Sequence, residues 1–440
     1  MSTALTAAPP PQAPGVRRRA RGGAARFRPA APLAETVLVL MLIAVSGNPV
    51  LSSPTVAPLL YVLLLALGLA LRQSSTSALF LRNYGWLAAS FCVVFAAHRL
   101  QLGEVSVFGA AHFLVKVFVA GWLIDRLGVL FVPCLFRATV WLCASSVLLY
   151  PMLLLVGPEA FPGWFGEAWT GSDRIKSIGF YTVHTTPEWW RNSSMMWEPG
   201  ALQGVINLTL FLMPGTALLT RRYRLSSLLM VAVLATTFST TGYLVFFLVV
   251  LYKLGSARLS GLAKSTALVV FLLVGLFTFL EADFLAQKIV EQYLDSLSYD
   301  GFMPDRFGAL LFDLQYIDKH PLFGNGLVES TRFADHPQLH GQTLAHGNGL
   351  SNFIATFGGV GLLAYAWGIL RCGWALGRRG LAARVALLVL VLILSVGEQF
   401  LNTPLFLGLP FLMLANLPRP RRRVVVRRPA MQPVPPAAAA

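Results

Sequence analysis

RRYRLSSLLMVAVLATTFSTTGYLVFFLVVLYK, residues 221–253, decides the fold. Arg221, Arg222 and Arg224 stand at one end and Lys253 at the other. Between them lie two apolar runs split by Phe238-Ser239-Thr240-Thr241-Gly242. The split reads either as a tight turn between two spans or as a polar break in one longer segment. On both readings the runs are too apolar and too long for a water-facing surface. They belong in a bilayer.

The same pattern extends in both directions. The chain has 440 residues, 56% hydrophobic and only 12% charged, with a mean hydropathy of +0.65. A soluble protein of this length needs more charge to cover its surface. The apolar segments are 32–46, 55–71, 84–98, 106–124, 137–156, 201–219, 225–238, 241–254, 265–280, 347–370, 384–398 and 403–417. The expected fold is therefore all-α: a polytopic transmembrane bundle of about 12 spans occupying 31–418. A basic N-terminal tail (1–30) and a basic, Pro/Ala-rich C-terminal tail (419–440) flank it, and the ends 1–30 and 429–440 have the composition of disorder.

The net charge of +16 is distributed as in a membrane protein, not as a nucleic-acid footprint. Arg17, Arg18, Arg19, Arg21, Arg26 and Arg28 precede the first segment. Arg221, Arg222 and Arg224, then Lys253, Arg258 and Lys264, then Arg371, Arg378, Arg379 and Arg384 fall in alternate connections. Arg419, Arg421, Arg422 and Arg423 follow the last segment. Cationic loops stay in the cytoplasm, so both termini are expected inside and the span count even. Asp125 is almost the only acid on that side. The four cysteines, Cys92, Cys134, Cys143 and Cys372, lie in or beside apolar stretches and form neither a disulfide framework nor a CxxC metal pattern. The first apolar stretch carries no small-residue cleavage signature and reads as a retained span.

Two outer connections, 157–200 and 281–345, are long enough to carry function. In the second, Leu285, Ile289, Tyr293 and Leu297 recur at helical spacing, as do Phe307, Leu310, Leu311, Leu314 and Ile317. Two amphipathic helices on the outer membrane surface would bury these stripes.

Four groups of residues bear chemistry. Trp189-Trp190-Arg191-Asn192 and Trp197-Glu198-Pro199-Gly200 precede a span. Arg191 offers a planar fork for a phosphate or diphosphate, and Glu198 sits at the mouth of a helix opened by Pro199. The same residues read equally well as an interfacial aromatic belt with a capped helix start. His346 opens the tenth segment and suits general-base work near neutral pH. With His336, His340 and Asp335 it also invites a zinc reading, but the spacing crosses Pro337 and Gly341 and matches no ligand motif, so no metal is expected. Arg306 heads the second amphipathic stripe and reads either as a ligand at headgroup level or as a snorkelling anchor. Lys116 and Glu35 are charges inside apolar segments, and Glu398 and Asn402 flank the last outer turn.

These clusters, in order, resemble the O-antigen ligase and polymerase superfamily of bacterial membrane glycosyltransferases. Arg191 with Trp197-Glu198-Pro199-Gly200 carries the resemblance first, then Thr237-Phe238-Ser239-Thr240-Thr241-Gly242. Arg306 ahead of His320-Pro321-Leu322-Phe323-Gly324-Asn325-Gly326 follows, and His346-Gly347-Asn348-Gly349-Leu350 with Gly358-Gly359-Val360-Gly361 completes it. Two departures stand out. The family usually has His followed directly by Asn, whereas Gly347 intervenes here, so either His346 or Asn348 is the matching position. Many relatives have Arg where this chain has Thr240.

The resemblance implies a metal- and cofactor-independent glycosyltransferase of the bacterial inner membrane, acting on the periplasmic side. Its donor is a polyprenyl-diphosphate-linked oligosaccharide. In a polymerase of O-antigen or exopolysaccharide the acceptor is another lipid-linked repeat unit; in an O-antigen ligase it is a lipid A core. His346 and Glu198 are the implied base candidates. Arg191, Arg306, Asn348, Trp197 and Ser239 are the implied diphosphate and glycan ligands, with Trp189, Trp190 and Tyr181 as stacking platforms. The competing class is a flippase for lipid-linked oligosaccharides, which expects inverted repeats and midplane charges. No repeat is seen. A chain-length regulator is an expected partner, and nucleic acid is not.

Overall fold

The computed structural model describes residues 32–70, 76–165, 175–184, 190–215, 220–256, 260–266, 269, 306–340, 347–372 and 380–416. Of these, 78% are helical, with one short antiparallel ribbon. The longer helices are α1 Leu33–Gly47, α2 Ala57–Ala70, α3 Ala78–Leu102, α4 Val107–Leu127 and α5 Phe131–Val156. They continue with α6 Pro199–Leu212, α7 Arg221–Thr236, α8 Thr240–Ser256 and α9 Arg306–Lys319. The last two are α10 Gly349–Cys372 and α11 Gly380–Gly397.

Local chemistry sets these boundaries. The Ser77 and Ser106 hydroxyls accept from the Phe80 and Gly109 amides and open α3 and α4. Asn48 stops α1 and turns the chain with its side-chain oxygen, which accepts from the Val50 and Leu51 amides.

Among the described residues, three stretches are long and apolar enough to cross a membrane: Ala78–Leu102, Val107–Val156 and Gly349–Arg371. The second is α4 and α5 in series, interrupted at Gly128. Shorter apolar helices are Leu33–Gly47, Ala57–Ala70, Pro199–Leu212, Thr240–Gly255 and Leu381–Gly397. Large apolar side chains, among them Leu59, Val62, Leu148, Leu155 and Leu363, stand exposed on the flanks of these helices. Each would cost roughly 25 cal/mol per Å² in water and nothing in lipid. This is the surface of a membrane-associated protein.

Contacts sort the helix ends into two groups. At one end the start of α3 meets the end of α4, where the Ser77 amide and hydroxyl donate to the Asp125 carboxylate at 2.8 and 2.7 Å. At that end, too, Lys253 near the end of α8 donates to the Phe211 carbonyl of α6 at 2.6 Å. Arg384 of α11 donates to the Leu370 carbonyl of α10, and Phe136 packs on Tyr223. The opposite end gathers the end of α1 (Trp197 amide to Gly47 carbonyl, 2.6 Å), the starts of α6, α8, α9 and α10 and the end of α11. Basic side chains crowd the first end. The chemistry-bearing motifs crowd the second.

Several sequence expectations shift. Segments 32–46, 55–71, 106–124 and 137–156 are helices nearly as read, and α3 extends the third segment at both ends. The helix expected over 201–219 stops at Leu212, where Met213 turns extended ahead of Pro214. Segment 403–417 is not one α-helix: Pro404–Leu407 is a single turn, and Leu409–Asn416 is a 3-10 helix. Pro404, Gly408 and Pro410 deny it a continuous α ladder. Buried Leu405, Phe406, Leu409, Phe411 and Leu412 fill the bundle centre instead, with Phe411 lying over Gly121 of α4. Such backbone is tolerated where protein surrounds it and finds partners. The Leu405 amide donates to the Ser46 hydroxyl, and the Tyr365 hydroxyl to the Phe406 carbonyl. Apart from residues 265, 266 and 269, the span expected over 265–280 lies outside the described residues, as does the amphipathic stripe from Leu285 to Leu297.

The second stripe does form a helix, α9, described from Arg306 onward. Its protein-facing side is Phe312, Asp313 and Tyr316, however. Phe307, Leu311 and Leu314 are left facing outward, an apolar strip one helix face wide.

Candidate active site

The polar end of the bundle is organised around residues 190–200. Asn192, which sequence reasoning passed over, is its hub. Its side-chain oxygen accepts from the Ser146 hydroxyl (2.7 Å), the Tyr181 hydroxyl (3.2 Å) and the Ser194 amide (3.1 Å). Its amide group donates to Thr236 at 2.8 Å. The ribbon Ile175–Ser177 with Thr182–His184 packs beneath through Tyr181 and Val183. Tyr181 is fully buried, and burial pushes its phenol above the usual range. It cannot stack on a sugar, and that expectation is corrected: the ring is core, and its hydroxyl serves Asn192. Trp190 remains partly exposed, edge-on to Phe238 at 4.8 Å. Trp189 lies outside the described residues.

The mid-chain break is a turn between two helices, α7 and α8. Ser239 is buried, and its hydroxyl accepts from the Gly242 amide at 3.3 Å, so it caps α8. Asn207 of α6 holds the same turn by donating to the Gly242 carbonyl at 3.0 Å. Two guanidinium groups meet this break. Arg191 Nε donates to the Thr237 carbonyl at 3.2 Å, and Arg306 donates to the Thr240 hydroxyl at 3.3 Å. Thr240 thus ties in Arg306.

Beside them lies a pair of carboxyls. Glu198 is the residue before α6, with Pro199 at the first helical position as expected. Glu398 follows the last residue of α11 and is buried, 4% exposed. Glu198 and Arg306 are its charged neighbours. Trp197 donates its indole N–H to Glu398 Oε2 at 3.2 Å. Burial first and the Glu198 charge second hold Glu398 well above the usual carboxylate range, with Arg306 opposing. Glycines seat the pair: a Cβ on Gly200 would fall 1.7 Å from Glu398 Oε1, and one on Gly349 2.2 Å from the Glu398 carbonyl.

Asn348 is buried and caps α10, its side-chain oxygen accepting from the Ser351 amide at 3.0 Å. Ser351 in turn donates to Asp313 of α9 at 2.6 Å. Asp313 pairs with Arg332, both shielded from solvent, and Arg332 also reaches Asn352. The motif from His320 to Gly326 locks into α10 at a notch. Gly358 has φ 69 and ψ −179, breaking the helix. The freed Gly359 and Val360 amides donate to the Pro321 and Leu322 carbonyls at 2.8 and 3.0 Å, and Asn325 donates to the Tyr316 and Ala355 carbonyls at 2.9 and 3.0 Å. His98 closes the far side on the Phe323 carbonyl at 2.7 Å. These two glycine-bearing motifs are therefore scaffold.

Of the residues singled out from sequence, Trp197, Glu198, Arg306, Arg191 and Ser239 converge on one site, with Asn348 at the adjoining helix start. His346 lies outside the described residues. His336 bonds the Tyr316 hydroxyl at 2.7 Å and His340 the Phe333 carbonyl at 3.2 Å, both inside the loop. Lys116 contacts the Asn402 carbonyl at 3.3 Å. Glu398 was read only as flanking a turn, yet it is central. A lone carboxylate ending an apolar run is the signal that pointed to it. No model of a known protein family and no curated protein matches this chain.

Proposed function

We propose that the protein is a polysaccharide polymerase. It transfers glycan from a polyprenyl-diphosphate-linked oligosaccharide to a second lipid-linked repeat unit at the outer face of the bacterial inner membrane. In this reading about 12 spans cross the bilayer with both termini inside. The cation-rich helix ends face the cytoplasm, and the motif-bearing ends face the periplasm.

One observation carries the reading: Arg191 and Arg306 meet the same short break, three residues apart at Thr237 and Thr240, beside a carboxyl pair. A lipid diphosphate leaves with two developing negative charges, and fixed guanidinium groups in a low-dielectric site stabilise them. The acceptor hydroxyl needs a base. Glu198, at the cluster, supplies it here; His346 is the alternative base. As the acceptor oxygen bonds to the anomeric carbon, its proton passes to Glu198, and the bond to the diphosphate oxygen breaks with the electron pair leaving on diphosphate. The lipid tail lies along the exposed apolar helix flanks, and Trp190 offers a face to sugar.

Purified protein in liposomes carrying lipid-linked repeat units tests this reading. Lengthened products are expected. Bare translocation of the substrate would establish a flippase, and products formed only when lipid A core is added would establish a ligase. Arg191→Ala and Glu198→Ala are each expected to abolish polymer in cells while the protein stays in the membrane; loss in His346→Ala with activity kept in Glu198→Ala would move the base to His346. Normal chain length in both Arg191→Ala and Glu198→Ala would remove the site assignment.

A further inference from the structure

On the motif-bearing end of the bundle, a groove opens at the far end of α9 from Arg306. The α3–α4 connection forms one wall, with Gly103 ending α3 and Ser106 capping α4. The end of α9 and the short helix Glu329–Arg332 form the other. A cavity of about 360 Å³ lies between them, and Glu104, Lys319, His320, Ser330 and Thr331 are in its lining. A second cavity of about 440 Å³ shares Glu104 and adjoins Arg99, Ser106 and Leu327. Each has the size of a small-ligand cleft.

The lining carries both signs of charge and further hydrogen-bonding capacity. Glu104 accepts from the Ser330 hydroxyl at 2.8 Å, and a carboxylate has lone pairs beyond that one. Lys319 pairs with Asp335 and lies 5.4 Å over the Tyr316 ring; an ammonium carries more donors than that bond uses. Glu104 and Ser330 are exposed, so the groove is open to the outer side. A phosphate in it would meet the Glu104 charge, and a cation would meet those of Lys319 and Arg99. A polyol suits both, since its hydroxyls donate to the carboxylate and accept from the ammonium. Leu102 and Leu327 add apolar surface for the C–H faces of a sugar ring.

Arg306 and Lys319 stand at the two ends of α9. At 1.5 Å rise per residue they are about 20 Å apart along its axis. Resting on the polymerase reading, which puts the donor diphosphate at Arg306, we infer that this groove is a glycan subsite. It binds the donor chain several sugars out from the bond that breaks. After each transfer the chain sits on the acceptor's carrier lipid and must shift to the donor position. The groove keeps hold of a long chain across that shift, and a chain too short to reach it escapes.

Two readouts test the inference: binding of lipid-free polysaccharide fragments by the full-length protein in detergent, and product length in liposomes carrying lipid-linked repeat units. The fragments are released by mild acid from the surface polysaccharide of the source cells and sorted by length. Ser330→Trp fills the groove from an exposed position, and Glu104→Gln removes the carboxylate at constant shape. Each is expected to weaken fragment binding about tenfold, the loss of one charge-assisted hydrogen bond. Products should be about twofold shorter or more, with the joining of two single units slowed less than about threefold. Unchanged affinity and product length in both variants, while the wild-type protein lengthens its product, would overturn the inference and leave the polymerase reading intact. Wild-type protein that binds no fragment would overturn it as well, as would a first joining step lost as fully as chain length. No lengthening by wild type would overturn the polymerase reading, and fragment binding lost in Ser330→Trp would still mark the groove as a glycan site.

Discussion

Gly200 shows how much rests on a single missing atom. Its Cα faces Glu398 so closely that a methyl group would fall 1.7 Å from Oε1. Gly200→Ala is expected to drive Glu398 away from Trp197 and Glu198. Polymer formation should drop at least tenfold, and the protein should still accumulate in the membrane, because α6 gains helix propensity from the change. In vivo chain-length analysis beside immunoblotting measures both, and wild-type chain length would show that the pair does not matter. The two cations belong to the same scale. Arg306→Ala is expected to reduce lengthening by about 10²–10³-fold, the range for loss of one preorganised charge-stabilising donor. A loss under threefold in the reconstituted assay would make Arg306 a mere interfacial anchor. Residue types and order were readable here. Arg191, Trp197, Glu198 and Arg306 announced themselves as polar or aromatic residues at span mouths. The Glu198–Glu398 pairing was not readable, since the two stand 200 positions apart in sequence and only the fold brings them together.

At the scale of elements, the outer loop is held down by two devices of different kinds. One is electrostatic. Arg332 and Asp313, both nearly solvent-free, join the segment after α9 to α9 itself, and Ser351 extends the link to α10. Removing one partner strands a buried charge. Arg332→Ala is expected to destabilise the docked loop by about 3–5 kcal/mol, seen as earlier thermal unfolding or as proteolytic cutting between 306 and 340. Unfolding within a degree or two of wild type would contradict the pair's role. The other device is backbone interlocking. A Cβ on Gly358 would meet the Leu322 carbonyl at 2.2 Å, and the left-handed φ of 69 already excludes most side chains. Gly358→Ala is expected to undock the 320–326 turn and expose it to limited proteolysis; an equally resistant loop would contradict the interlock. Sequence periodicity gave the helix over α9 and its outward apolar stripe, but not the polar contacts of its other side. The apolar stripe of Phe307, Leu311 and Leu314 was legible, whereas the inward side was not: Asp313 and Tyr316 carry hydrogen bonds to Ser351 and His336, residues distant in sequence. The Pro404-to-Asn416 stretch misled for a similar reason. Hydropathy reads how apolar a segment is, not whether lipid or protein surrounds it.

For the whole molecule, the governing fact is the separation of charge between the two ends of a helical bundle with apolar flanks. Asp125, Arg126, Arg221, Arg224, Lys253 and Arg384 lie with the ends of α4, α6 and α10. Glu198, Glu398, Arg191 and Arg306 lie with the opposite ends. The composition made apolar, membrane-associated helices legible at once, and the alternating cations carry the proposed sidedness. The proposed polymerase reading depends on that sidedness, because it has lipid-linked repeat units joined outside the cytoplasm. Ser330, exposed beside the 320–326 turn, and Arg224, exposed at the start of α7, mark the two ends. With Cys92, Cys134, Cys143 and Cys372 replaced by alanine, Ser330→Cys and Arg224→Cys can be probed with a membrane-impermeant maleimide on intact spheroplasts. Position 330 should label without permeabilisation, and position 224 only after it. The reverse pattern would put the carboxyl pair and both guanidinium groups in the cytoplasm and contradict the account.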